Sequence, residues 1–219
     1  MSLKLLIANK NYSSWSIRPL LVLEHFGIRY ELVYGRVKSV AVANEIATEI
    51  ITDWSGAGRV PVLRDGGLTI WESIAIIEYL ADRYPDKPIW PADPATRALA
   101  RAVSAEMHAG FSSLRNEMPM NARRRYDGFS YGPETAADIA RIRQLWADCL
   151  ARSGGPFLCG DFCAADAMFA PVISRFRTYG VKLDAVSETY ADTAWALPAV
   201  KAWLADAAAE PMVIEKYEL

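Results

Sequence analysis

Three short stretches carry side chains that could do chemistry together. In NYSSWSIRP, residues 11–19, Ser13 and Ser14 stand just ahead of the apolar run Leu20 to Leu23. A helix opening there presents unpaired N–H groups and a positive dipole end. A serine hydroxyl in that setting either caps the helix or lies beside a bound anion such as a thiolate. Proline lacks an N–H and is tolerated only in a first turn, so Pro19 places the helix start near Ser16. Ser16 is then the expected N-cap, and Ser13 and Ser14 remain in the loop.

The second stretch is GRVPVL, residues 58–63. Proline cannot donate to a β-ladder, so Val60-Pro61 entering a strand is either an edge-strand proline or a cis peptide. A cis bond would turn the Val60 N–H and C=O outward, where they could pair with an extended peptide ligand. In the third stretch, WESIAIIEYL at residues 71–80, Glu72 and Ser73 precede a helical periodicity. Ser73 can cap that helix, whose N-terminus attracts a carboxylate, while Glu72 could take an ammonium group.

The elements needed to bring these stretches together are legible up to residue 82. Leu3 to Ala8 reads as a strand, Ile17 to Phe26 as a helix and Arg29 to Val33 as a second strand, with Gly27 at the helix C′ position. This is a parallel βαβ start. Val40 to Ile50 reads as a short or irregular helix. Val60 to Arg64 and Leu68 to Trp71 flank the turn Asp65-Gly66-Gly67 as a hairpin, and a helix follows from Ser73 to about Arg83. Four prolines between Tyr84 and Pro94 forbid a helix across that segment. Beyond it only helical signals appear: Ala95 to Met118, Glu134 to Arg152, Ala164 to Arg177 and Leu197 to Ala209. The expected division is an α/β domain over 1–82, a linker over 83–94 and an all-helical domain over 95–219.

The 219 residues suffice for a sizeable core, and 52% hydrophobic with 23% charged residues is ordinary for a globular chain. A net charge of −2 supplies no overall basic field for nucleic acid or an anionic membrane, and neither is an expected partner. No apolar run approaches the roughly 18 residues that span a bilayer, and no secretory leader is apparent; the expected location is cytoplasmic. Cys149, Cys159 and Cys163 are read as reduced thiols, because the 159–163 spacing has neither CxxC form nor nearby histidines. No metal is expected. No cysteine occurs in residues 1–148, which argues against a disulfide reductase of glutaredoxin type and against thiol exchange through a protein cysteine.

The three stretches in this order resemble a thioredoxin-like domain, and the chain resembles the cytosolic glutathione S-transferases over nearly its full length. The resemblance rests on Ser13-Ser14-Trp15-Ser16, Val60-Pro61, Glu72-Ser73 with IAIIEYL, and FLCGDFCAADAMFAP at residues 157–171. In the last, Gly160 precedes an N-cap and Asp166 stands three residues after it. Cys163 occupies the cap where the family usually has Ser or Thr, and thiols are weak acceptors. The serine pair is most similar to the zeta-like, maleylacetoacetate isomerase-like group, with Trp15 in place of that group's cysteine. The family's arginine for a substrate carboxylate falls at 175–179, and neither Arg175 nor Arg177 stands directly on it.

The resemblance implies a glutathione S-transferase fold and a glutathione cosubstrate whose thiol is activated for attack on a small hydrophobic electrophile. It also implies a homodimer and a detoxifying role. Ser13 is the leading candidate for the catalytic hydroxyl, with Ser14 next. Glutathione would lie against Trp15, Lys38, Arg59, Val60, Pro61, Glu72 and Ser73. The acceptor would lie between the halves, near Met107, His108, Phe111 and Arg115. Isomerase activity of the maleylacetoacetate type and non-catalytic ligand binding are the alternatives.

Overall fold

The computed structural model describes residues 2–35 and 53–218, so Lys38 and Val40 to Ile50 lie outside the described residues. Strand β1, Leu3–Ile7, occupies the interior of a four-stranded sheet. Leu5, Leu6 and Ile7 are all fully buried, as a strand covered on both faces requires. Helix α1, Ile17–His25, follows, with Pro19 harmless in its first turn. Gly27 at φ +63° reverses the chain, and Ile28 N–H closes on Leu23 C=O at 2.9 Å. Strand β2, Tyr30–Tyr34, then pairs parallel with β1 from Leu3↔Tyr30 to Ile7↔Tyr34, completing the expected βαβ unit.

Strand β3, Val62–Asp65, pairs antiparallel with β1 and starts two residues later than expected. The donor missing at Pro61 accounts for the late start. β3 turns through Gly66 and Gly67 into β4, Leu68–Trp71, with Asp65 opposite Leu68 and Gly66 at φ +58°. The left-handed backbone at Gly66 suits the tight primed turns of such hairpins. The sheet order is β2-β1-β3-β4. Helix α2, Ser73–Arg83, buries Ile76, Ile77 and Leu80.

From Tyr84 to Asp93 the chain is non-helical, as its prolines demand, and the Ile89 carbonyl accepts the Ala164 N–H at 2.8 Å. Asp93 caps α3, Pro94–Ala109, by accepting the Thr96 N–H at 2.8 Å. The single helix expected over Ala95 to Met118 is broken. Phe111 takes a left-handed conformation, φ +59°, and α4 restarts over Ser112–Glu117. Burial of the Phe111 ring, 7% exposed, and donation of the Leu114 N–H to Asp138 offset the strain of that turn. Helix α5 spans Pro133–Ser153 and α6 spans Ala164–Thr178. Helix α7, Ala185–Trp195, gave no clear signal in the sequence: its buried face is Ser187, Tyr190, Ala191 and Ala194, a weak apolar stripe. α8 follows at Pro198–Ala209, and a 3₁₀ turn at Glu215–Tyr217 lies near the end.

Helix α6 is the centre of the molecule, with every residue but Arg177 buried and packed against α1 and α3. Its entry hangs on Asp166, whose carboxylate accepts Cys163 N–H at 2.9 Å, Leu158 N–H at 3.1 Å and Tyr190 O–H at 3.1 Å. Cys163 faces the Asp166 amide in the reciprocal half of a capping box, without a cap hydrogen bond of ordinary length. A hydroxyl accepts more strongly than a thiol. Cys163→Ser is therefore expected to stabilise by about 0.5–1 kcal/mol, read as a raised unfolding midpoint; an unchanged or lowered midpoint would refute the weak cap.

Complete burial pushes the Asp166 carboxyl up to about 6, against the hydrogen bonds that favour its charged form. The raised folded value makes its contribution to stability largest below the ordinary carboxylate range and lost as pH rises through about 6. Denaturant titrations across that window should show a decline in wild type that is absent from Asp166→Asn; parallel curves would contradict the assignment.

Candidate active site

The loop from Ala8 to Ser16 joins the carboxyl end of β1 to α1. Ser16 stands at the N-cap position with helical φ −69°, ψ −36° and makes no side-chain cap bond, which corrects the expected cap. Its fully buried hydroxyl instead accepts the Ala8 N–H at 3.3 Å and lies 2.6 Å from Ser13 Oγ. Ser13 Oγ also accepts the Ser16 N–H at 3.4 Å. Either hydroxyl can donate in the Ser13–Ser16 contact; when Ser16 O–H donates, the acceptor sites of Ser13 are filled and its own proton is available for another acceptor.

Ser13 and Ser14 both line a cavity of about 370 Å³, together with Trp15, Arg115, Arg175 and Tyr217. The Trp15 ring packs against two guanidiniums, with Arg18 Cζ at 4.3 Å and Arg115 Cζ at 4.8 Å from its centroid. The His108 ring meets its edge at 5.2 Å. Arg18 is 1% exposed, and its Nε and Nη1 have no partner among the described residues. Arg115 donates to the carbonyls of Met107 and His108, and Arg175 donates to those of Met118 at 2.8 Å and Pro171 at 3.2 Å.

No carboxylate forms a salt bridge with Arg18, Arg115 or Arg175 among the described residues. Burial, then repulsion from Arg115, pushes Arg175 down to about 10. Burial, then Arg115 and Arg175, lowers Arg18 strongly. This is an electropositive pocket whose charges are met by rings and carbonyl dipoles.

The other sequence candidates fall in several places. Val60-Pro61 is cis, Val60 is half-buried and Arg59 is exposed. Ser73 is the first residue of α2 rather than its cap; the cap position belongs to Glu72 at φ +70°. The Ser73 hydroxyl is buried without a partner among the described residues. Glu72 Oε2 lies 3.5 Å from His108 Nε2. Burial, then Arg18, lowers the His108 pKa, so the imidazole is neutral near pH 7 and the contact is a polar link between α2 and α3. Met107 and Phe111, at 1% and 7% exposure, belong to the core and do not line this cavity.

Several site residues had no motif to announce them. Arg18 looks like an ordinary helix residue, and Arg175 reaches the cavity although its register in the sequence argued otherwise. Ile214 and Tyr217 line the same cavity from the far end of the chain. Glu210 accepts the Lys10 and Asn11 N–H groups at 2.7 and 3.0 Å, and Arg123 donates to the carbonyls of Glu210 and Met212. The Tyr12 hydroxyl is bonded to Glu218 and is engaged away from the serine pair. Among the described residues no group of three or more His, Cys, Asp or Glu side chains is placed to hold a metal, and no helix is long and apolar enough to cross a membrane.

A βαβ-ββα unit joined to a helical domain, with serines at the first helix and a cis proline before β3, defines a class that comparison with known proteins identifies. The glutathione S-transferase N-terminal domain family matches residues 12–83. A probable maleylacetoacetate isomerase of Caenorhabditis elegans is 28% identical over 186 residues, covering 82% of this chain and 84% of the relative. A maleylacetoacetate isomerase of Pseudomonas aeruginosa is also 28% identical, over 84% of this chain and 85% of that protein. Among solved structures, a Burkholderia glutathione transferase homolog with bound glutathione superposes with a TM-score of 0.73 at 24% identity, over 94% of this chain and 98% of the other. Residues 12–83 thus match the glutathione S-transferase N-terminal domain, and over most of its length the chain is similar to maleylacetoacetate isomerases.

Proposed function

We propose that this protein is a glutathione transferase in which Ser13 donates a hydrogen bond to the glutathione thiolate, preparing it to attack a small electrophile held in the arginine-lined cavity. The observation carrying this reading is the Ser13 hydroxyl on the cavity wall, with Ser16 in place to satisfy its acceptor sites. Serine has too high a pKa to serve as the base. It lowers the thiol pKa by stabilising the anion, helped by the α1 N-terminus and the nearby guanidiniums. Ser14 lines the same wall and is the alternative donor.

Glutathione supplies the nucleophilic sulfur when bound, and the residues around the cavity would orient it. The unpartnered Ser73 hydroxyl at the start of α2 supports its role toward the γ-glutamyl carboxylate, with Glu72 beside the amino group. Val60 would pair its backbone with the cysteinyl unit, Trp15 would pack against the peptide, and Arg59 or Lys38 would meet the glycyl carboxylate. Residues 1–82 are assigned to glutathione, 83–94 to the link and 95–219 to the acceptor. A cytoplasmic homodimer with a detoxifying role completes the reading. The test is conjugation of glutathione to a panel of aryl halides and isothiocyanates; no turnover of any, with glutathione bound, would leave a binding protein instead.

Arg115 and Arg175, facing the cavity without carboxylate partners, favour a second reading in which the acceptor is itself an anion, as in an isomerase of the maleylacetoacetate type. A charge-assisted contact is worth about 1.5–3 kcal/mol. Arg115→Met is then expected to raise KM for maleylacetone about 10-fold or more while leaving that for a neutral aryl halide within a factor of two or so. Equal effects on both substrates would remove the anionic acceptor.

A further inference from the structure

Cys159 and Cys163 lie outside the cavity, at the entrance to α6, and the fold brings them together. The two oxygens of one carboxylate, that of Asp166, hold Leu158 N–H and Cys163 N–H. The segment between must therefore close on itself, and it does so through Gly160 at φ +100° and the bridge between Phe157 and Gly160. This closed turn brings the Cys159 and Cys163 side chains near enough for each to shift the other's ionisation, Cys159 downward and Cys163 upward. Cys159 is partly exposed, whereas Cys163 and Cys149 are buried.

We propose that Cys159 and Cys163 form a reversible dithiol–disulfide pair that reacts with low-molecular-weight disulfides such as glutathione disulfide. Cys159 is the attacking sulfur because solvent reaches it, and the Cys163 contact lowers its pKa, favouring the thiolate. Burial pushes the Cys149 thiol up to about 11, and the Cys159 contact with burial raises Cys163 as well, so Cys159 alone offers a thiolate for the first attack and Cys163 takes part only as its neighbour in the closed turn.

The exchange proceeds in two balanced steps. The Cys159 thiolate attacks one sulfur of the disulfide RSSR, forming Cys159–S–SR and releasing RS⁻, which takes up the proton lost by Cys159. The Cys163 sulfur then attacks Cys159 Sγ, breaks the mixed disulfide and releases a second RS⁻, which takes up the proton of Cys163. Two protein thiols are oxidised and one RSSR is reduced to two RSH. The product links the N-cap residue of α6 to the loop before it, so oxidation acts on the cap of this buried helix.

The test is non-reducing mass spectrometry of the whole folded chain after equilibration with glutathione disulfide, and separately with hydroxyethyl disulfide, which has no affinity for a glutathione site. The expected product in both is a chain that has lost two hydrogens, yields a cross-linked 159–163 peptide and returns to the dithiol with excess glutathione. Cys163→Ser should stop at one mixed disulfide on Cys159, and Cys159→Ser should remain reduced. A wild-type chain that stays reduced, stops at a mixed disulfide or bridges through Cys149 would overturn the proposal. Reaction with hydroxyethyl disulfide keeps this outcome independent of whether the protein binds glutathione.

Discussion

Ser13→Ala is expected to raise the pKa of the bound glutathione thiol by one to two units, back to about 8.5, and to lower conjugation at pH 7 by about 8–25-fold. A thiol with a pKa near 8.5 is mostly protonated at pH 7, so rate follows the thiolate fraction. One to two units correspond to about 1.4–2.7 kcal/mol of preference for the anion, the scale of one charge-assisted hydrogen bond in a partly dry site. The Ser16 hydroxyl 2.6 Å away cannot replace the lost donor, because it is fully buried and does not line the cavity. The effect should vanish at pH values above the mutant thiol pKa, where both proteins hold the anion. The spectroscopic titration of the bound thiol checks this. A normal titration in Ser13→Ala with a raised one in Ser14→Ala would pass the role to Ser14.

Asp166→Ala is expected to destabilise by about 3–5 kcal/mol and to abolish accumulation of folded protein at the upper end of that range. The substitution strands Leu158 N–H, Cys163 N–H and Tyr190 O–H in a fully buried site, and each unsatisfied donor costs about 1–3 kcal/mol. Helix α6 would lose the closure of its entry loop while remaining packed between α1 and α3. Asp166→Asn retains one acceptor oxygen and should recover about half of the loss. Chemical denaturation of the three proteins measures it, and a loss below about 1 kcal/mol for the alanine variant would show that water replaces the carboxylate.

The features that local chemistry dictates were readable without coordinates. Pro19 bounded α1, Gly27 ended it, Gly66 and Gly67 turned the hairpin, and the prolines between Tyr84 and Pro94 kept that segment from becoming a helix. Each acts through its own φ/ψ limits or missing donor, independent of the rest of the chain. The break at Phe111 was not readable, since the periodicity of the surrounding residues continues and only burial of the ring stabilises its left-handed backbone. The missing cap bond at Ser16 and the displacement of Ser73 from its expected cap have a similar origin: a serine before a helix announces a hydroxyl but not the partner it will find. The cavity was the least legible part. Arg115, Arg175 and Tyr217 come from three separate segments and meet around Trp15 and the serines only through tertiary packing.

Calorimetric titration with glutathione at pH 7, carried out in two buffers of different ionisation enthalpy, tests the central claim most directly, because it reads binding and thiol ionisation together. Saturable binding of one glutathione per chain is predicted, with net proton release that falls in Ser13→Ala while binding persists. Absence of binding, or binding without proton release, would contradict an enzyme that ionises the thiol at Ser13.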